Sequence, residues 1–69
     1  MSIGENIKAL REKKGVSQRE VAIELSISPA MLCGIEKGIK QPSLSVAIAL
    51  ATYFDTTVEA LTGKEHKTA

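Results

Sequence analysis

The chain has one cysteine, Cys33, and one histidine, His66, among 69 residues. A lone cysteine forms no intramolecular disulfide and fits a reducing compartment. One His and one Cys so far apart assemble no metal site. Aromatics are scarce too: Tyr53 and Phe54 are the whole set, with no tryptophan, so any core must be aliphatic. No apolar run approaches the roughly 20 residues a membrane helix needs, and the chain opens on no leader pattern. A cytoplasmic protein without membrane contact is expected. A Gly-rich phosphate loop is missing, as are a nucleophile–base pair at a workable spacing and paired carboxylates in an apolar setting. So small a domain has no volume for a deep cleft. These absences argue against an enzyme and leave no cofactor or small-molecule ligand evident.

What is present describes a packed globule. The hydrophobic share is 43%, ordinary for a folded domain, and the length allows one core. Residues 1–63 read as the domain and 64–69 as a flexible polar tail, in which His66 is a solvated residue. The formal net charge of +1 does not by itself point to nucleic acid. Lys8, Arg11, Lys13, Lys14 and Arg19 crowd the first third, with Glu5, Glu12, Glu20 and Glu24 interleaved. No stretch alternates apolar and polar residues as a half-buried strand would, and no repeat or linker interrupts the chain. The fold class is all-α.

Helix signals recur along the sequence. Ile3, Ile7 and Leu10 recur at helical spacing in a first helix from about Ile3 to Lys14, with basic residues gathered in its last turn and Gly15 after it. Ser17 can cap a second helix, with Glu20 completing a capping box. Ser28 can cap a third, with Pro29 at its first position, where the missing N–H costs nothing, and Gly38 stops it. Val21, Ala22 and Leu25 share one face of the second helix, Leu32 and Ile35 one face of the third, and Ile27 plugs the turn between them. Ser43 caps a fourth helix running to about Phe54. After a turn at Asp55-Thr56, a short fifth helix ends at Leu61, stopped by Gly63. The second and third helices, joined by a tight turn, are the unit that sets a helix into the DNA major groove.

These residues resemble a known family. IKALREKKGVSQREVA at 7–22, Ile27-Ser28, Leu32, Ile35-Glu36-Lys37-Gly38, PSL at 42–44 and FDTTVEAL at 54–61 are similar in order and spacing to the lambda-repressor-like, Cro/C1-type (XRE-like) helix-turn-helix domains. The resemblance covers nearly the whole chain. It implies a compact five-helix fold whose third helix is the recognition helix, and sequence-specific binding to double-stranded operator DNA, usually as a homodimer.

The resemblance also distributes roles. Base edges would be met by Pro29, Ala30, Met31 and Gly34, with Ser28 able to donate or accept. This face departs from the family's habit, because it offers almost none of the amide or guanidinium groups that match base edges. Ala30 and Met31 can meet thymine methyls, and Gly34 can let the helix approach closely. DNA shape would then supply part of the specificity. Gln18, at the start of the second helix, is read as a phosphate contact, with Arg19, Cys33, Lys37, Lys40, Gln41 and Ser43 around the same face. Arg11 and Glu36 match the family's charged pair linking helices 1 and 3, a structural role.

The fourth helix, LSVAIALATYF, carries no charge. Leu44, Ala47, Leu50, Ala51 and Phe54 are assigned to its core face, which leaves Val46, Ile48, Ala49 and Tyr53 needing cover. Either neighbouring helices provide it, or a second copy does, joined through these residues with Val58 and Leu61. The functional reading is a repressor on a two-fold operator. An antitoxin or a restriction–modification controller fits the same residues, and a protein-interaction module on this fold is the rival suggested by the poor hydrogen-bonding inventory at 29–34.

Overall fold

A computed structural model describes residues 2–63; Met1 and the tail at 64–69, with His66, lie outside the described residues. The described chain is five helices with no strand: α1 Ile3–Lys14, α2 Gln18–Leu25, α3 Pro29–Glu36, α4 Leu44–Tyr53 and α5 Val58–Thr62. Every helix opens on a hydroxyl. Ser2, Ser17, Ser28, Ser43 and Thr57 each accept the backbone N–H three residues on, a contact that stabilises a helix by about 1 kcal/mol. At Ser2–Glu5 and Ser17–Glu20 the glutamate returns the bond to the cap's own N–H. In the first box, hydrogen bonds from Ser2 hold the Glu5 carboxyl below its ordinary range.

The connection between α2 and α3 is short because Ser26 takes the left-handed conformation, φ 58°. Ile27 then folds back, its N–H reaching the Ala22 carbonyl at 2.9 Å. After α3 the left-handed residue is Gly38, φ 79°, where a side chain would be strained. That reversal lets Ile39 and Lys40 both donate backbone N–H bonds to the Gly34 carbonyl, at 2.9 and 3.1 Å.

The core is aliphatic. Ile7, Val21, Leu32, Ile35, Leu50 and Leu61 are fully buried, each contributing roughly 1.5–3 kcal/mol of transfer free energy. α1 packs on α3 and α5, α2 on α3 and α4, and α4 on α5. At one place backbone meets backbone: a Cβ on Gly4 would overlap the Ile35 carbonyl oxygen and stand 2.7 Å from that of Glu36. Glycine lets the first turn of α1 lie directly on the last turn of α3.

Two assignments on α4 and α5 need correction. Leu44 is 72% exposed; it has the helical phase of the core face but sits at the first helical position, a turn short of the packed layer formed by Ala47, Leu50 and Ala51. Phe54 packs against the core as assigned, half-buried. Leu61, read as part of a dimer face, is completely buried, because α1 and α4 both close over the five-residue α5. Its carbonyl accepts a 2.7 Å bond from Asn6 Nδ2, so α1 holds the end of α5 through a side chain.

Gly4→Ala tests the backbone contact. Propensity alone would favour alanine by about 1 kcal/mol. Overpacking against the α3 carbonyls reverses the sign, and the variant loses about 1–3 kcal/mol in urea denaturation. A midpoint at or above the parent's shows that α1 and α3 do not approach at backbone distance.

Candidate nucleic-acid interface

α3 divides cleanly. At about 100° per residue, Leu32, Ile35 and Glu36 point inward, and all three are buried. Ala30, Cys33, Gly34 and Lys37 fall on the opposite side. Ser28, Pro29, Ala30 and Met31 are exposed at its N-terminal end. The Ser28 Oγ accepts from Met31 N at 3.0 Å, which leaves its hydroxyl hydrogen and one lone pair for a further partner.

Gly34 corrects the sequence reading. It lies on the outward side but is buried, and the cover is Lys40. A Cβ at Gly34 would meet the Lys40 Cδ at 3.0 Å and Cγ at 3.1 Å. The bare helix surface taken as room for close approach is occupied by a lysine stem, which the two bonds to the Gly34 carbonyl place there.

At the start of α2 the expected capping box forms, but Gln18 differs from expectation. Ser17 Oγ takes the Glu20 N–H at 3.0 Å, and the Glu20 carboxylate takes that of Ser17 at 2.8 Å. A carboxylate therefore stands at the helix tip, where the dipole suits it but where it repels a phosphate. Gln18 turns inward, its Nε2 donating to Glu36 Oε1 at 2.9 Å. Its amide was read as a phosphate donor; a buried carboxylate with lone pairs to fill claims one N–H first. Arg19, Lys37, Lys40, Gln41 and Ser43 are exposed, and Cys33 is half-buried.

Arg11 and Glu36 form a bidentate pair. Nε donates to Oε2 at 2.7 Å and Nη2 to Oε1 at 3.2 Å, while Nη1 donates to the Val16 carbonyl at 3.0 Å. The Glu36 side chain is 2% exposed and that of Arg11 14%, so each charge depends on the other for its solvation. The hydrogen bonds to Glu36 hold the guanidinium above its ordinary range. No buried side-chain nitrogen or oxygen among the described residues lacks a partner. The Glu36 carboxylate thus joins the end of α1, the start of α2 and the end of α3, and through Arg11 the loop at Val16.

α4 carries further apolar surface. Ile48 is 50% exposed, and an open cleft of about 310 Å³ is lined by Glu24, Leu25, Ala49, Thr52 and Tyr53. Val46, Tyr53 and Val58, read as interface residues, are partly buried against this chain's own core. Tyr53 stacks edge-on with Phe54, centroids 4.9 Å apart, and Lys14 Nζ stands 4.8 Å from its ring centre. Of the apolar residues on α4, Leu44 and Ile48 remain exposed; Ile23 on α2 and Ile39 after α3 are exposed as well.

Sequence reasoning missed Gly4 and Asn6, which hold α1 to α3 and to α5. A glycine inside an otherwise good helix is a signal for close approach. Asn6 carries no comparable sign. Among the described residues no helix is long and apolar enough to cross a membrane, and no three potential metal ligands cluster.

Two capped helices across a tight turn, the second with one face buried and the other presented among cations, define a helix-turn-helix domain. Residues 7–61 match the model of the helix-turn-helix family, Cro/C1 type, and the chain belongs to that family. It is similar to the HTH-type transcriptional regulator AnsR of Bacillus subtilis, 41% identical over 56 residues, covering 81% of this chain and 48% of that protein. It is also similar to the immunity repressor of Bacillus phage phi105, 34% identical over 65 residues, 94% of this chain and 45% of that protein. The chain thus spans about half the length of these relatives. Among solved structures, that of SinR, a Bacillus subtilis master regulator of biofilm formation, in complex with DNA, superposes with a TM-score of 0.79 at 30% identity, covering 86% of this chain and 95% of that one.

Removing one member of the buried pair leaves the other without a counter-charge. Glu36→Ala therefore costs roughly 3–5 kcal/mol, a large part of the roughly 3–10 kcal/mol a domain this size holds. A thermal melt within a degree or two of the parent would show that Arg11 and Gln18 find other partners.

Proposed function

We propose that this domain binds a DNA operator through the outward face of α3, as the DNA-binding part of a cytoplasmic transcriptional repressor that works as a two-fold dimer. The observation that carries the reading is the recognition helix itself: Glu36 anchors it from behind, and its outer face is left to exposed Pro29, Ala30 and Met31 beside Lys37. The relatives support it, since AnsR is a transcriptional regulator, the phi105 protein is an immunity repressor, and SinR has been solved on DNA. The domain's part is binding, not catalysis.

On this reading the contacts divide in two. Arg19, Lys37, Gln41 and Ser43 meet phosphates and set register; Cys33 packs beside them. Gln18 helps by fixing α2 to Glu36, with its second amide N–H available to a phosphate. Ala30 and Met31 meet thymine methyls in the major groove, and Ser28 and Pro29 lie against base edges at the helix tip. For the dimer, Leu44 and Ile48 with the cleft beside Ala49 form the natural contact, because they are the apolar surface α4 leaves uncovered.

The expected behaviour is salt-dependent binding to duplex DNA with a selectable sequence motif. Lys37→Ala weakens binding about equally on every sequence and lowers the salt slope by ~1. Replacing thymine by uracil at the contacted positions removes only methyl groups and weakens operator binding. If affinity holds at every position, the methyl account fails. Absence of duplex binding even at low salt replaces the whole reading with a protein-interaction module.

Ile48→Asp places a charge on the proposed dimer face and yields a folded monomer with weaker operator binding. Sedimentation showing an unchanged dimer moves the interface elsewhere. A parent that stays monomeric at high concentration removes it.

A further inference from the structure

The middle of the α3 outward face holds a residue without a side chain that is nevertheless buried. Gly34 sits one turn from Ala30 and a turn before Lys37, on the side turned away from the core. Three atoms of Lys40 surround the place where its Cβ would be: Cδ at 3.0 Å, Cγ at 3.1 Å and Cε at 3.5 Å. The base of that lysine is fixed as well. Its backbone N–H and that of Ile39 both bond the Gly34 carbonyl, and Gly38 makes the reversal that brings them there. Lys40 pairs with no carboxylate among the described residues. A free ammonium is therefore carried on a stem laid across the recognition helix.

We propose that Lys40 reads bases, and that Gly34 is glycine to seat it. The stem supplies the side chain Gly34 lacks, and the ammonium enters the major groove with α3. This rests on the DNA-binding reading above. The argument is positional. Phosphates line the edges of the groove, and the centre of a recognition helix's outward face points at base edges. A stem packed over that centre leads inward, whereas Lys37 extends from the helix end. The chemistry selects the target: an ammonium has three donors and no acceptor, so it matches the edge with two acceptors, guanine O6 and N7. Ala30, Met31 and Cys33 supply no comparable donor and Ser28, at the helix tip, a single hydroxyl hydrogen, so a preference for guanine through both O6 and N7 has its source in Lys40.

The test compares the full chain with Lys40→Met, which keeps the stem and removes the charge, and with Lys37→Met as the phosphate control. Bound sites are selected from random duplex DNA, and affinities are measured on the selected operator. The expected result is a motif containing a guanine in each half-site, at which Lys40→Met loses about tenfold of the discrimination. At that guanine, 7-deazaguanine, which removes the N7 acceptor, weakens the parent but not Lys40→Met. Gly34→Ala displaces the stem and relaxes the same position while its melting temperature stays close to the parent's. Three results overturn the assignment: a Lys40→Met variant with the same motif and uniformly lower affinity, like Lys37→Met; one with unchanged binding; and a parent motif with no guanine in the half-site. A parent that selects no duplex motif overturns the DNA reading itself, and this assignment with it.

Discussion

The Glu36 carboxylate is the constraint around which the domain is arranged. It is buried at the end of the helix that faces outward, and a buried anion must be paired and hydrogen-bonded. Arg11 fills two sites from α1 and Gln18 a third from α2. The same guanidinium reaches back to the Val16 carbonyl, so the loop between α1 and α2 is held too. Side chains from two other helices thus converge on one point of α3. Apolar packing of Leu32 and Ile35 is non-directional and tolerates some rotation of the helix; bidentate geometry tolerates much less. The ion pair therefore fixes the rotation of α3, and that rotation decides which residues face outward.

Gly4 belongs to the same arrangement. The carbonyls that exclude a Cβ there are those of Ile35 and Glu36, the last turn of α3. Close backbone approach of α1 shortens the distance Arg11 spans and shields the pair from water. Asn6, one turn from Ile3, ties α1 to the end of α5 instead. α1 is thereby clamped at both of its neighbours, which explains how a helix with so many charged residues stays docked.

Much of the fold was legible because its signals are local. A hydroxyl three residues before a glutamate, a proline at the first helical position and a glycine after the last turn each act within one turn of chain; α1, α2, α3 and α5 carry at least one of these signs, and α4 has its Ser43 cap. The burial of Ile7, Val21, Leu32 and Ile35 follows from helical spacing. What resisted reading depends on distant partners. Leu44 has the right helical phase but lies beyond the layer it would join. Leu61 looks like surface on a five-residue helix until α1 and α4 close over it. Gln18 has a phosphate donor's chemistry, but its amide is claimed by a carboxylate 18 residues away. The Arg11–Glu36 link came from family resemblance, not spacing; no local rule pairs residues 25 apart.

The electrostatic layout bears on how such a nearly neutral chain can hold DNA. A helix N-terminus attracts phosphate through its open N–H groups and dipole, yet at α2 the Glu20 carboxylate already occupies that position. The partial positive charge is spent within the domain, on closing the capping box. On the proposed reading, phosphate attraction then falls to whole charges on flexible stems, Arg19 and Lys37, whose effect decays within about a Debye length of 8–10 Å. Such contacts set the domain's register on the duplex but do not turn α3 about its own axis. Orientation comes instead from the shape of α3, apolar and narrow at Pro29, Ala30 and Met31, and from the rigidity with which Glu36 presents it. A recognition surface poor in hydrogen-bond donors can discriminate only if it is held still, and the buried pair behind it is what holds it.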